Sequence, residues 1–262
     1  IESYFDDDNE VVVKKAKSNF DEKRYLDTRL KNGEESRETR IRVLLTKDSD
    51  GKEKFAIPVR YHNLKVDKEV NANGFKDFIC LNDPHFPEEE RKCPICKKIE
   101  ELFNEANQFQ EGSNERRSLC RKAYELKDST RVSYFVRCIE RGKEADGVKF
   151  WKINSWASKK GPYDVVKNLA IQRNNESKEQ GYGPLNIFDY EKGFDFQLIF
   201  TRSAKSMKTE ISISDVKFPS KLSNNPEEME RWINDPVKWD DMYKRKSEEY
   251  LKIIADNGVP YY

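Results

Sequence analysis

The stretch RVSYFVRCIERGKEADGVKFWKINSW, residues 131–156, has two runs rich in β-branched and aromatic residues on either side of the turn-forming GKEADG. This pattern is typical of a β-hairpin. Similar short runs recur along the chain, separated by turns and by segments in which apolar residues have helical spacing. The sequence therefore predicts an α+β protein that is mainly β, built as a small barrel or strongly curved sheet with added helices.

The composition is that of a polar chain, since 36% of its 262 residues are hydrophobic and 37% are charged. No window reaches the ~18 consecutive apolar residues of a membrane span, and the first ten residues are acidic. The five cysteines are an odd number, which does not fit the disulfide framework of a small secreted domain. We therefore expect a cytoplasmic protein in a reducing compartment, with no membrane partner.

The charges are unevenly distributed, although the formal net charge is only +1. Residues 131–173 contain ten Lys and Arg against four Asp and Glu, whereas residues 224–257 contain nine acidic against six basic residues. Segregation of this kind can build a positive face on a nearly neutral protein. Such a face favours a polyanionic partner.

The stretch RKCPICKKIEELF, residues 91–103, places Cys93 and Cys96 with two residues between them. A Cys-x-x-Cys pair can be a redox centre or half of a metal site, but the redox motif directly follows a strand, and here a long turn-rich loop precedes the pair. Twelve residues separate Cys80 from Cys93, and seventeen separate His62 from Cys80. Three thiolates and one imidazole are ligands of closed tetrahedral sites, so we expect one structural Zn²⁺.

Spacing alone does not fix the fourth ligand, because His85 lies in the same region as His62. Four protein ligands leave no open position for a substrate. The sequence also has no Gly-rich phosphate loop, no His-Glu-x-x-His motif and no serine elbow. We therefore expect a binding protein and not an enzyme.

Aromatic and basic residues interleave in and just after the predicted hairpin. Unpaired bases stack on flat side chains, each stack being worth ~1–3 kcal/mol, while phosphates need Lys and Arg. A duplex exposes no base faces, so the combination favours single strands. The basic residues are Arg131, Arg137, Lys149, Lys152, Lys159 and Lys160, and the aromatic residues are Tyr134, Phe135, Phe150, Trp151, Trp156 and Tyr163.

The two-residue period of a β-strand sorts these side chains onto faces. In the first run, Arg131, Phe135 and Arg137 share a face. In the second run, Phe150, Lys152 and Trp156 share a face. A groove with both stacking and phosphate-binding groups is therefore expected along this hairpin.

Over roughly residues 39–203 the sequence resembles the core of the single-stranded DNA-binding protein of T-even-type phages, a helix-destabilising protein. The most specific element is the arrangement of one histidine, one cysteine and a Cys-Pro-x-Cys pair. The resemblance is carried, in order, by TRIRVLLTKDSDGKEKFAIPVRYHNL, CLNDPHFPEEERKCPICKKI, STRVSYFVRCI, GVKFWKINSWASKKGPYDVVKNLAI and GYGPLNIFDYEKGFDFQLIFTRS.

This resemblance implies an oligonucleotide/oligosaccharide-binding (OB) fold with a zinc subdomain inserted after the first hairpin. It favours His62 over His85, since the family's zinc ligands match His62, Cys80, Cys93 and Cys96. The residues that fall along the family's DNA cleft are Arg42, which would contact a phosphate, and Tyr134, Phe135, Phe150 and Trp151.

The implied function is to coat and protect exposed single strands in phage DNA replication, recombination and repair, in the cytoplasm of an infected bacterium. Its partners would be single-stranded DNA, further copies along the strand, and replication proteins such as a polymerase or a helicase loader. Two alternatives are a zinc-ribbon module for protein interaction or transcription, and a nuclease that uses carboxylates with a divalent metal.

The resemblance and the predicted elements together divide the chain into five predicted segments. They are an acidic, partly helical N-terminal extension (1–38), the first OB hairpin (39–61), a zinc subdomain with helices (62–128), the remainder of the OB fold (129–218) and a C-terminal helical appendage (219–262).

Overall fold

A computed structural model describes residues 22–48, 51–154, 161–204, 209–242 and 245–260. Within these ranges no helix has both the length and the apolar character needed to cross a membrane. The strands are β1 (Ser36–Leu44), β2 (Thr46–Lys47), β3 (Glu53–Lys54), β4 (Ile57–Lys65), β5 (Phe75–Ile79), β6 (Thr130–Glu140), β7 (Lys149–Asn154), β8 (Phe196–Arg202) and β9 (Thr209–Asp215). The α-helices are α1 (Pro94–Ala106), α2 (Asn114–Asp128), α3 (Pro162–Glu179), α4 (Pro226–Ile233), α5 (Trp239–Met242) and α6 (Glu248–Ala255).

The architecture is α+β and is organised around β6. Seven antiparallel strands form one sheet in the order β5-β4-β6-β1-β8-β9, with β7 paired to β6. Residues 130–135 of β6 pair with β4, residues 137–140 pair with β1, and residues 133–138 pair with β7. The residues of β6 that pair with β7 include residues that also pair with β4 or with β1. β7 therefore lies along one edge of β6, and β4 and β1 lie one after the other along the opposite edge.

Two expectations about the sheet are corrected. The barrel is not closed in the part of the chain that the structure describes, since the terminal strands β5 and β9 each pair with one neighbour only. The predicted hairpin of residues 39–61 is paired only at its tip, through β2 and β3, because β1 and β4 both use β6 as partner. The hairpin predicted from residues 131–156 is confirmed over β6 and β7.

The sheet has two differently covered faces. The inner face packs on the largest core, which includes Val43, Val136, Trp151 and Phe196. The opposite face, which we call the outer face, carries Tyr61, Arg131, Phe135, Arg137, Phe150 and Lys152, because β4, β6 and β7 are in register through Tyr61↔Arg131, Phe135↔Lys152 and Arg137↔Phe150.

A separate small core lies where β4, β5, α1 and α6 meet. Leu64, Phe78, Ile95 and Leu251 are among its buried residues, together with Cys80 and Cys93. Since α6 packs here, the C-terminal helices are part of the fold around the cysteines. The stability of this region therefore depends on its small apolar core and on the interactions among its cysteines.

A buried carboxylate fastens the turn between β6 and β7. Lys149 Nζ lies 2.6 Å from Glu140 Oε2 and 2.9 Å from Asp146 Oδ2, and Lys143 Nζ lies 2.7 Å from Glu140 Oε1. Burial raises the pKa of Glu140, but the hydrogen bonds from Lys143 and Lys149 outweigh burial and leave this pKa below its ordinary value of 4.5. A lowered folded pKa stabilises the protein above the unfolded pKa, and this stability is lost as pH falls through the folded value.

We expect Glu140→Gln to lower the free energy of unfolding at pH 7 by about 1–3 kcal/mol, because it leaves a buried lysine with weaker partners. The difference from the unmodified protein should shrink as pH falls below 4.5, the ordinary pKa of a glutamate, and through the lowered pKa of folded Glu140. Urea denaturation at several pH values measures this. Glu144→Gln, in the same turn, is the control, and a loss that is the same at every pH contradicts the assignment.

Candidate functional site

The structure brings His62, Cys80, Cys93 and Cys96 together, and their ligand atoms all lie within 4.8 Å of one another. His62 is in β4, Cys80 directly follows β5, and Cys93 and Cys96 are at the start of α1. His62 and Cys80 have no exposed surface, and Cys93 is 3% exposed. Residues distant in sequence thus form one buried cluster that could hold one metal ion.

The spacing of the donor atoms fits tetrahedral coordination. Cys93 Sγ lies 3.4 Å and Cys96 Sγ lies 3.7 Å from His62 Nε2, and Cys80 Sγ lies 3.5 Å from Cys96 Sγ. Ligands at about 2.0–2.3 Å from a tetrahedral ion are about 3.4–3.8 Å from one another. The four side chains therefore need little rearrangement to share one ion.

The protonation of the thiols shows why a cation suits the cluster. The hydrogen bond to Cys93 raises the pKa of the Cys80 thiol, and the same contact lowers the pKa of Cys93. The hydrogen bond that Cys96 accepts from Cys80 lowers its pKa, while the one that it donates to Cys93 raises it, and the pKa of Cys96 is raised overall to about 11. Three thiolates packed this closely need a positive charge between them, which a divalent ion supplies.

His85 is not part of the cluster. Its Nδ1 lies 2.6 Å from Asp83 Oδ1, and its ring is in edge contact with Trp239. The choice of His62 over His85, which spacing alone left open, therefore agrees with the geometry of the cluster.

The orientation of the His62 ring is set by the strand that pairs with β4. Thr130 is directly opposite His62 in the register of β4 and β6, and its Oγ1 lies 3.1 Å from His62 Nδ1. When Nε2 binds a metal, Nδ1 carries the proton, and this N–H donates a hydrogen bond to the hydroxyl oxygen of Thr130. Groups in this position fix the tautomer and the ring plane of a metal-binding histidine.

We expect Thr130→Val, which removes the hydroxyl while keeping the side-chain shape, to weaken metal binding by about 10–100-fold. Competition with a chromophoric chelator measures the affinity. Thr130→Ser keeps the acceptor and should stay close to the unmodified protein. Equal affinities for the Val and Ser variants are the result that would remove this role from Thr130.

The residues predicted to bind nucleic acid are distributed over several environments. On the outer face, Arg131 is exposed and the side chain of Lys152 is 21% exposed. Phe135 and Phe150 share this face but are buried, at 4% and 2% exposed. Arg137 is half-buried, and its Nη2 donates to the backbone oxygens of Trp232 and Asp235.

Four other predicted contacts are directed into the protein. Trp151 is 1% exposed in the inner core, and Tyr134 stacks on Tyr163 with ring centroids 3.8 Å apart. Lys149 is committed to the ion pairs of the β6–β7 turn. Arg42 is fully buried, and its Nη1 lies 3.0 Å from Asp195 Oδ1. Trp156, Lys159 and Lys160 lie outside the described residues.

The outer face also holds a groove that sequence reasoning missed. Its volume is about 240 Å³, and its lining includes Tyr61, Lys76, Phe135 and Lys152. The ammonium of Lys152 lies 4.9 Å from the centre of the Tyr61 ring and 2.9 Å from Asp77 Oδ2. The alternation of β4 could have identified Tyr61, because a residue next to the buried His62 must point to the opposite face.

Comparison with protein families and curated proteins gives no relative of this chain. No protein-family model matches the chain, and no curated protein sequence matches it.

Proposed function

We propose that this protein binds single-stranded DNA along the outer face of its sheet and holds one structural zinc ion. The register that places Arg131, Phe135, Arg137, Phe150 and Lys152 on one face carries this proposal. Stacking groups and phosphate-binding groups then lie along the same path, as a single strand requires. In this proposal the sheet is an OB-type core, and the zinc subdomain lies between β4 and β6.

The chemistry of the outer face supports a single strand over a duplex. The groove at Tyr61 has aromatic walls, and two lysines, Lys76 and Lys152, line it with one carboxylate, Asp77, which pairs with Lys152. Flat rings bind the faces of unpaired bases, and a duplex hides those faces. Little sequence preference and strong salt dependence follow, because stacking and phosphate contacts do not distinguish base edges.

The ion in the cluster is proposed to be zinc because three thiolates and an imidazole form a donor set that zinc prefers. With four protein ligands it supplies structure and no catalysis. It would connect β4, β5 and α1, the elements that support one end of the outer face.

Titration with an oligo(dT) strand tests the proposed function through the quenching of tryptophan fluorescence. Binding should weaken steeply with salt and should be absent with an equal mass of duplex. In Lys152→Ala the slope of log K against log salt should fall by about 0.7. Lys178→Ala, an exposed lysine of α3, is the matched control. Absence of quenching at low salt contradicts the proposal.

A further inference from the structure

The outer face is crossed by a segment that we call the strap, residues 235–242, which includes the short helix α5. Its central residue Trp239 is 9% exposed. The Trp239 ring lies 5.7 Å from Phe135, 6.2 Å from Phe86 and 5.8 Å from His85, measured between ring centroids. The strap therefore covers one of the aromatic residues on which the proposed DNA path depends.

Strap residues line two cavities on the outer face. Met242 lines the cavity of about 240 Å³ at Tyr61, and residues 235–240 line a second cavity of about 470 Å³ that reaches Arg137 and Phe150. Phe135 lines both cavities. Phe135 is therefore the residue that both cavities and the Trp239 ring share.

The strap lies between two packed helices, and Val237, Trp239 and Met242 pack on the outer face. Before it, Trp232 of α4 is buried, and after it, Leu251 of α6 is buried in the core around the cysteines. Its own ends are held by an ion pair of 2.9 Å between Asp235 and Arg24 and by a hydrogen bond of 2.7 Å from the Tyr25 hydroxyl to the backbone oxygen of Met242. Between these ends, Trp239 is the main apolar attachment.

The strap supplies groups of the kind that a single strand would bring. The Trp239 ring contacts Phe135, with the ring centroids 5.7 Å apart and the planes at 32°, and the backbone oxygen of Asp235 accepts from Arg137 Nη2 at 3.2 Å, where a phosphate oxygen could accept. Asp235 and Asp240 line the second cavity and add negative charge there. A nucleic-acid strand and the strap therefore compete for the same side chains.

We propose that the strap is a displaceable cover of the DNA site, which lifts between α4 and α6 when a single strand binds. This proposal rests on the proposed function, since it concerns the regulation of the same site. The apparent affinity for DNA is then the intrinsic affinity multiplied by the fraction of molecules with the strap lifted. The strap thus lowers the apparent affinity for every single strand by the same factor.

Two variants weaken the strap: one changes Trp239, and the other changes Tyr25, whose ring also lines the cavity at Tyr61 and is kept in the phenylalanine variant. Trp239→Ala removes the central attachment, and Tyr25→Phe removes one hydrogen bond at its end. If at most a tenth of the molecules have the strap lifted, Trp239→Ala should bind oligo(dT) about 10-fold more tightly at the same salt concentration. Tyr25→Phe should bind more tightly by a smaller factor. Tyr182→Ala, which removes an aromatic residue that is 81% exposed, is the control.

Hydrogen exchange on the unmodified protein tests the same step without a substitution. Peptides covering residues 235–242 should exchange faster when oligo(dT) is bound, while those from β6 should exchange more slowly. If the unmodified protein binds oligo(dT) and Trp239→Ala binds equally or more weakly, or exchange in the strap slows, the strap proposal is overturned and the proposed function stands. If neither protein binds oligo(dT), both proposals fail.

Discussion

Replacing Cys93 by serine is expected to reduce the metal content from about one ion per chain to nearly none and to unfold the region around α1. Cys93 lies at the centre of the cluster, with its sulfur 3.4 Å from His62 Nε2. Because a preformed site is absent from the unfolded chain, the free energy of metal binding contributes directly to folding, with apparent values of about 10–16 kcal/mol in small zinc domains. Elemental analysis and thermal melting measure the two effects.

The loss of structure after Cys93→Ser should be regional. The core around the cysteines is separate from the inner core that includes Val43 and Phe196. We therefore expect increased hydrogen exchange in α1 and β5, with β1 and β8 still protected. Cys120→Ser, which changes a cysteine of α2 outside the cluster, is the control. A Cys93→Ser protein with full metal content and an unchanged melting temperature would falsify the assignment of this ligand.

The second large effect is expected at Asp195, a buried carboxylate between two arginines. Asp195 Oδ1 lies 3.0 Å from Arg42 Nη1 and 3.0 Å from Arg141 Nη2. Burial lowers the pKa of Arg42, while Asp195 raises it and Arg141 lowers it. Asp195→Ala would leave the buried guanidinium of Arg42 facing the half-buried guanidinium of Arg141 without a carboxylate between them. We expect a loss of about 3–5 kcal/mol of unfolding free energy.

Urea denaturation and thermal melting check the Asp195→Ala prediction, with a fall in melting temperature of roughly 10 °C. Arg42→Met should cost less, because Asp195 keeps its hydrogen bonds to Arg141 Nε and Nη2. The double variant Arg42→Met/Asp195→Leu should recover part of the loss, since it removes both buried charges. If the Asp195→Ala and Arg42→Met variants are equally stable, the carboxylate does not have this bridging role.

Part of the fold and of the metal cluster could be predicted because the signals are local. The two β-rich runs around GKEADG predicted the β6–β7 hairpin, and the Cys-x-x-Cys pair at a helix start predicted the environment of Cys93 and Cys96. Cysteine and histidine spacing also narrowed the remaining ligands to a few residues. These predictions succeed because they depend on the types and spacing of a few nearby residues, which can be read from the sequence.

The positions of the other predicted binding residues depend on long-range packing, which the spacing of residues along the sequence does not encode. Aromatic residues of β6 and β7 were all predicted to face the cleft, but strand alternation directs Tyr134 and Trp151 to the inner core. Arg42 carries a charge that suits a phosphate, yet its partner Asp195 comes from the β8 region, more than 150 residues away. The strap was likewise read only as part of a helical appendage, because its contact with Phe135 is formed in the folded chain.

The central position of β6 makes the length of this strand harder to change than its composition. Thr130 at its start contacts His62 of the candidate metal cluster, and Glu140 at its end forms an ion pair with Lys149 across the turn. A single inserted or deleted residue between them would exchange the inner and outer side chains along both paired edges. A neighbouring side chain can compensate for a single substitution in β6. No single substitution can compensate for the deletion of one residue from β6, because the deletion moves every following side chain to the other face.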